Sequence, residues 1–159
     1  MEKTAAGDVA TQRERLTEQL MAYGASFTEL GRRFATRLGV HSTDAFALLE
    51  ISSAEESGAP LSPALLSKRI PLSSGAMTAL LNRLEKAGYI SRTREEADRR
   101  VVTLRTDPQV KQLADEFFTP VKQRQDAVLD RYPSELLQQF ETFLIQLRST
   151  MDVQPIDSA

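Results

Sequence analysis

Apolar residues recur near the start of the chain at Leu16, Leu20, Tyr23, Phe27, Leu30, Phe34 and Leu38. The steps are almost those of a heptad, which predicts one long helix from about Asp8 to Leu38 with a single apolar seam. Such a helix is longer than a small domain core can cover, so an intersubunit role is favoured over an internal one. Gly24 and Gly31 lie within it and lower its propensity, but they also leave room for a close neighbour. Residues from Met1 to about Asp8 are small and polar and read as a frayed end. The pattern breaks at Gly39-Val40-His41. Ser42 or Thr43 then caps a second helix carrying Phe46, Leu48, Leu49 and Ile51, and a polar loop runs from Ser52 to Pro60.

From Ser62 to Arg105 the pattern reads helix, turn, helix, hairpin. Ser62 is an N-cap and Pro63 suits the first helical position. The short helix through Ala64, Leu65, Leu66 and Lys68 should end before Pro71, which disfavours helix at Ile70. Ser73 caps the next helix, whose stripe is Met77, Leu80, Leu81 and Leu84, and Gly88 stops it. Opposite the stripe lie Ser74, Gly75, Thr78, Ala79, Asn82 and Lys86, all small or polar. A helix entering a DNA major groove needs such a face, because its backbone must approach the bases; a solvated face on an ordinary core helix would look the same. Two strand-like runs, Tyr89–Arg94 and Val101–Arg105, are joined by Glu95-Glu96-Ala97-Asp98-Arg99-Arg100.

Beyond the hairpin, Asp107-Pro108 starts another helix through Val110, Leu113, Phe117, Val121, Val128 and Leu129. Pro120 should kink or divide it. Pro133-Ser134 restarts a helix with the stripe Leu136, Leu137, Phe140, Phe143, Leu144, Leu147 and Met151. The tail from Asp152 is polar and expected to be loose.

Composition changes this picture in three places. The chain has no cysteine, which removes disulfides and thiolate metal sites. Its net charge is −2, which looks wrong for a DNA binder. However, residues 62–105 hold nine basic and four acidic side chains, an excess of five, and the local field is what attracts phosphate. No apolar run approaches a membrane span and the N-terminus lacks an apolar signal region, so no membrane partner and a cytoplasmic location are expected. His41 is the only histidine, too little for a metal site or a catalytic triad. There is no phosphate loop, nucleophile elbow or paired-carboxylate constellation, and adjacent Glu55-Glu56 and Glu95-Glu96 read as solvated loop pairs. Neither an enzyme nor a cofactor is expected.

The run from Leu72 to Ile90, with its Arg83-Leu84-Glu85-Lys86-Ala87-Gly88-Tyr89-Ile90, followed by Asp98-Arg99-Arg100-Val101-Val102-Thr103-Leu104, strongly resembles the winged helix-turn-helix of MarR-type transcriptional regulators. The resemblance covers nearly the whole chain and implies a mainly α fold. A winged helix-turn-helix with a two-stranded β wing (41–106) would lie between dimerisation helices at 1–40 and 107–159. One departure is the Leu-Thr-x-x-Gly pattern after the wing, which here is Leu104-Arg105-Thr106-Asp107-Pro108; it leaves the packing of that junction open.

What the resemblance implies for function is a homodimeric DNA-binding regulator, most simply a repressor, on a pseudo-palindromic double-stranded operator with half-sites about 34–36 Å apart. Its DNA-binding residues would be Ser73, Ser74, Gly75, Thr78, Asn82, Arg83, Lys86, Arg92, Arg94, Asp98, Arg99 and Arg100. Arg100 would read the minor groove and Asp98 would brace it; a surface hairpin with a local ion pair is the plainer alternative. A small aromatic or lipophilic effector would sit between the dimerisation helices and the winged domain, near Phe27, Phe34, His41 and Phe46, residues that equally suit a plain core. The competing function is a winged-helix protein-interaction adaptor that has lost sequence-specific DNA binding. Ala79 gives that reading weight, since the family often carries a basic residue there.

Overall fold

The computed structural model describes the backbone of residues 2–94 and 101–151, with side chains from residue 8 onward. Within these residues the chain is mainly helical, with six helices and one antiparallel hairpin: α1 Glu2–Leu38, α2 Ser42–Glu56, α3 Pro63–Arg69, α4 Ser74–Lys86, β1 Ile90–Arg94, β2 Val102–Thr106, α5 Pro108–Leu129 and α6 Ser134–Ser149. It divides into two compact units, Met1–Ala114 and Asp115–Ala159.

In the first unit the core gathers Phe34 and Leu38 of α1, Leu48 and Ile51 of α2, Leu66 of α3, and Met77, Leu80, Leu81 and Leu84 of α4. Ile90, Leu104 and Val110 close it. The apolar seam of α1 therefore splits. Its C-terminal end joins the core, while Leu16, Tyr23 and Phe27 remain 41–61% exposed. The helix begins at Glu2 rather than near Asp8; its first residues include Glu2, Ala5 and Ala6, which are strong helix formers. Gly31 has the close neighbour its composition suggested, since a Cβ there would meet the Phe46 ring at 2.7 Å, whereas Gly24 faces open space. Position 41, not Ser42 or Thr43, precedes the first turn of α2, and no side chain caps that turn.

The hairpin pairs Ile90 with Thr106 at its root and Arg94 with Val102 at the far end. Only Ile90 is buried on β1, whereas β2 buries Thr103, Leu104 and Thr106. The root is tied down several times. Leu104 N–H donates to the Leu61 carbonyl at 2.8 Å and Asp107 N–H to the Tyr89 carbonyl at 2.9 Å. The Tyr89 hydroxyl donates to the Leu38 carbonyl at 3.1 Å, at the end of α1.

The junction after the wing is built without a glycine. Asp107 Oδ1 accepts from Gln109 N–H at 2.8 Å, capping α5 across Pro108. Glu55 holds the junction from α2. Its carboxylate accepts from Thr106 N–H at 3.2 Å, pairs with Lys111 at 2.9 Å and lies 3.7 Å from Arg105. Burial pushes the Glu55 carboxyl up, but the Lys111 and Thr106 hydrogen bonds and the charges of Lys111 and Arg105 outweigh it. The group sits below the ordinary glutamate value. Glu55 is thus a structural hub, not the solvated loop residue expected from its neighbour Glu56.

The second unit holds the remainder of α5 and all of α6. Pro120 lies inside α5 without dividing it: it removes one backbone donor, and helical turns on both sides keep the rest of the ladder. Phe117 and Phe118 meet edge to face at 4.9 Å. α6 buries no residue within its own chain, and Leu136, Phe140, Leu144 and Ile145 are exposed. Among the described residues no helix is long and apolar enough to cross a membrane, and no group of three histidine, cysteine or acidic side chains could hold a metal.

Candidate nucleic-acid interface

The helix-turn-helix is set by local signals. Ser62 Oγ accepts from Leu65 N–H at 3.2 Å and starts α3, and Ser73 Oγ accepts from Ala76 N–H at 3.2 Å and starts α4. α4 ends on paired bonds, Gly88 N–H to the Glu85 carbonyl at 3.0 Å and Tyr89 N–H to the Leu84 carbonyl at 2.9 Å. That closure requires the left-handed conformation Gly88 adopts, φ +76°. With Met77, Leu80, Leu81 and Leu84 buried, α4 turns Ser74, Gly75, Thr78, Ala79, Asn82 and Lys86 to solvent. Gly75 has nothing within 4 Å of where a Cβ would stand, so the first turn presents bare backbone. Thr78 Oγ1 donates back to the Ser74 carbonyl at 2.9 Å, leaving its methyl and an acceptor lone pair outward.

The cations of this region are mostly engaged with acids. Arg69 pairs with Glu50 at 2.9 Å. Arg92 Nη2 donates to Asn82 Oδ1 at 3.0 Å, and its Nε lies 3.7 Å from Glu85, so the wing strand is joined to α4 through two of the residues singled out in the sequence. Arg83 forks onto Asp44, Nε to Oδ2 at 3.2 Å and Nη2 to Oδ1 at 2.7 Å. That hydrogen bond raises the guanidinium pKa further, so Arg83 stays charged. Among the described residues, Lys86 and Arg94 are exposed and have no ion-pair partner. Asp98, Arg99 and Arg100 lie outside the described residues.

Of the four residues considered for an effector, Phe34 is fully buried and Phe27 is more than half exposed. Phe46 is half-buried and packs on Gly31. His41 lines a shallow cleft of about 350 Å³ with Gly39, Val40, Asp44, Arg83, Leu84 and Ala87. The structure therefore puts His41 apart from the phenylalanines in that cleft. The sequence pattern did not single out Asp44, and it placed Glu55 in a solvated loop pair rather than at the foot of the wing. The available signal for Asp44 was its place in the stripe Asp44, Leu48, Ile51, where an acid on an apolar face requires a partner.

A capped helix-turn-helix with a polar outer face, and an antiparallel hairpin rooted against it, define a winged helix-turn-helix protein. A model of the MarR family matches residues 38–101. The "Uncharacterized HTH-type transcriptional regulator YcgE" of Bacillus subtilis is 31% identical over 118 residues, 74% of this chain and 74% of that protein. The fold is similar to a MepR variant from a multidrug-resistant S. aureus clinical isolate, with TM-score 0.66 and 12% identity over 86% of this chain and 96% of that one. It is also similar to S. aureus MepR in a complex with DNA, with TM-score 0.53 and 13% identity over 83% and 96% of the two chains. The chain belongs to the MarR family: it is a DNA-binding helix-turn-helix transcriptional regulator and not an enzyme.

Proposed function

We propose that the protein is a homodimeric repressor of the cytoplasm that occupies a pseudo-palindromic operator and is released by a small aromatic or lipophilic molecule. The observation that carries the DNA half of this reading is the outer face of α4. Ser74, Gly75, Thr78 and Asn82 are exposed on it without a bulky apolar side chain, a face that fits a major groove. Lys86 of α4 and Arg94 of β1 are exposed cations without an ion-pair partner among the described residues, suited to phosphate. MepR, which shares the fold, is known in a complex with DNA. The dimer half rests on apolar side chains that stand exposed, Leu16, Tyr23 and Phe27 on α1 and Leu136, Phe140 and Leu144 on α6; patches of this kind mark association surfaces.

The test is a binding titration on DNA upstream of the protein's own coding region, repeated over a range of salt. Binding should weaken steeply with salt, and Arg94→Ala should lower the log–log slope by about 0.9. Thr78→Ala should alter base preference and leave that slope intact. Sedimentation should give twice the monomer mass. A salt-insensitive or absent interaction, with the fold intact, would favour the adaptor reading, which the engagement of Arg69, Arg83 and Arg92 with acids already suits. The effector is tested by Phe34→Ala and Phe46→Ala: a selective loss of response to an inducer supports it, and a parallel loss of stability and DNA binding assigns both residues to the core.

A further inference from the structure

Arg83 sits in the last turn of α4, beside the exposed face, where an arginine invites reading as a phosphate contact. Its geometry says otherwise. The Asp44 side chain is 4% exposed and that of Arg83 50%. Both Asp44 oxygens accept from one edge of the guanidinium, at 2.7 and 3.2 Å, and among the described residues the carboxylate has no other partner. If Arg83 swung out to a phosphate, a buried carboxylate would be left uncompensated, which is strongly unfavourable. The pair also spans 39 positions of sequence and joins α4 to the first turn of α2.

We infer that Asp44 and Arg83 are positioning residues for DNA recognition: their fork fixes the rotation of α4 about its own axis, and Arg83 neutralises no phosphate. The inference rests on the DNA-binding reading above. Its mechanical content follows from helix geometry. Side-chain tips lie about 5–6 Å from a helix axis, so a rotation of roughly 10° moves Ser74, Thr78 and Asn82 by about 1 Å, enough to spoil a hydrogen bond to a base edge. Two parallel hydrogen bonds to a planar fork resist that rotation where a single flexible contact would not. The leucine stripe of α4 holds the helix against the core but is a poorer guide to its rotation, because apolar packing is non-directional.

The experiment compares the unsubstituted protein with Arg83→Lys, Arg83→Gln, Asp44→Asn and the Asp44→Asn/Arg83→Gln double variant, on operator and on random DNA, across salt. A lysine keeps the charge and serves phosphate as a point charge, but it cannot reproduce the fork. Arg83→Lys and Arg83→Gln should therefore both weaken operator binding about tenfold, leave random-DNA binding nearly unchanged and preserve the salt slope. Asp44→Asn should do the same, although it touches no DNA, and the double variant should be no worse than the poorer single one. Amide exchange in the DNA-free variants should quicken in α4 and remain unchanged in β2, a readout that general destabilisation would not give. The inference is overturned if Arg83→Lys binds like the unsubstituted protein, Arg83→Gln lowers operator and random binding together with a slope loss of about 0.9, and Asp44→Asn is silent. Equal exchange in α4 across the variants overturns it as well. Failure of the DNA reading looks different: the unsubstituted protein itself then shows no salt-dependent binding.

Discussion

Gly31→Ala should destabilise the protein, against the direction that helix propensity alone dictates. In a helix interior, alanine is favoured over glycine by about 1 kcal/mol. A Cβ on Gly31 would stand 2.7 Å from both Cε1 and Cζ of Phe46, whereas non-bonded carbons settle about 3.5–4.0 Å apart. The ring must retreat by roughly 1 Å, and overpacking of that kind costs about 1–3 kcal/mol. The two effects leave a net loss of about 0–2 kcal/mol. Phe46→Leu removes both crowding atoms, so in that background the same Gly31→Ala change should stabilise by about 1 kcal/mol. The reversal of sign is the diagnostic. It is read from urea midpoints at one fixed protein concentration, because the stability of an oligomer depends on concentration, with a constant m-value as the check on two-state behaviour. If Gly31→Ala stabilises equally in both backgrounds, the Phe46 ring does not rest on α1 and this account of the α1–α2 contact is wrong.

Three further outcomes follow from local geometry. Ser73→Ala should cost about 1 kcal/mol in urea denaturation through loss of the α4 cap, and Ser62→Ala a similar amount at α3. Gly88→Ala forces a side chain into the left-handed conformation and should cost about 1–2 kcal/mol, seen as a lower melting temperature. Glu55 contributes stability that is fully present above its ordinary value of 4.5 and is lost as pH falls through its lower folded value. The gap in urea midpoint between the natural protein and Glu55→Gln should therefore hold from neutrality downward and close only in acid; a gap that widens in acid would contradict the assigned sign.

The elements that were legible in the sequence are those whose signals are local. Ser62-Pro63, Ser73, Gly88 and Asp107-Pro108 each specify a helix end within a few residues, and the α4 stripe fixes which face is buried. Ion pairs across long sequence separations carry no such signal. Asp44 and Arg83 meet only because α2 and α4 pack on one core, so Arg83 read as a free cation. The same holds for Glu55, which has Arg105 and Lys111 about half a hundred residues downstream. Arg92 and Asn82 were recognised as neighbours of the DNA face, but not as partners, since parity along β1 does not fix its distance from α4. The α1 seam was read as one feature, while the fold divides it: Phe34 and Leu38 are buried in the core that α2 shares, whereas Leu16, Tyr23 and Phe27 stay exposed.

The uneven anchoring of the hairpin separates two quantities that are often confounded. A two-stranded hairpin has little stability of its own, so each rung opens at a free energy set by what holds it from outside. Leu104 is held by the Leu61 carbonyl and Thr106 by Glu55, while Arg94 and Val102 form the last pair of the ladder among the described residues. Amide exchange should therefore slow stepwise from Val102 toward Thr106. The outer rungs can open and re-form without unfolding α4 or its core. Substitutions at Arg94 should accordingly change the melting temperature little, whereas those at Ile90 or Leu104 should lower it.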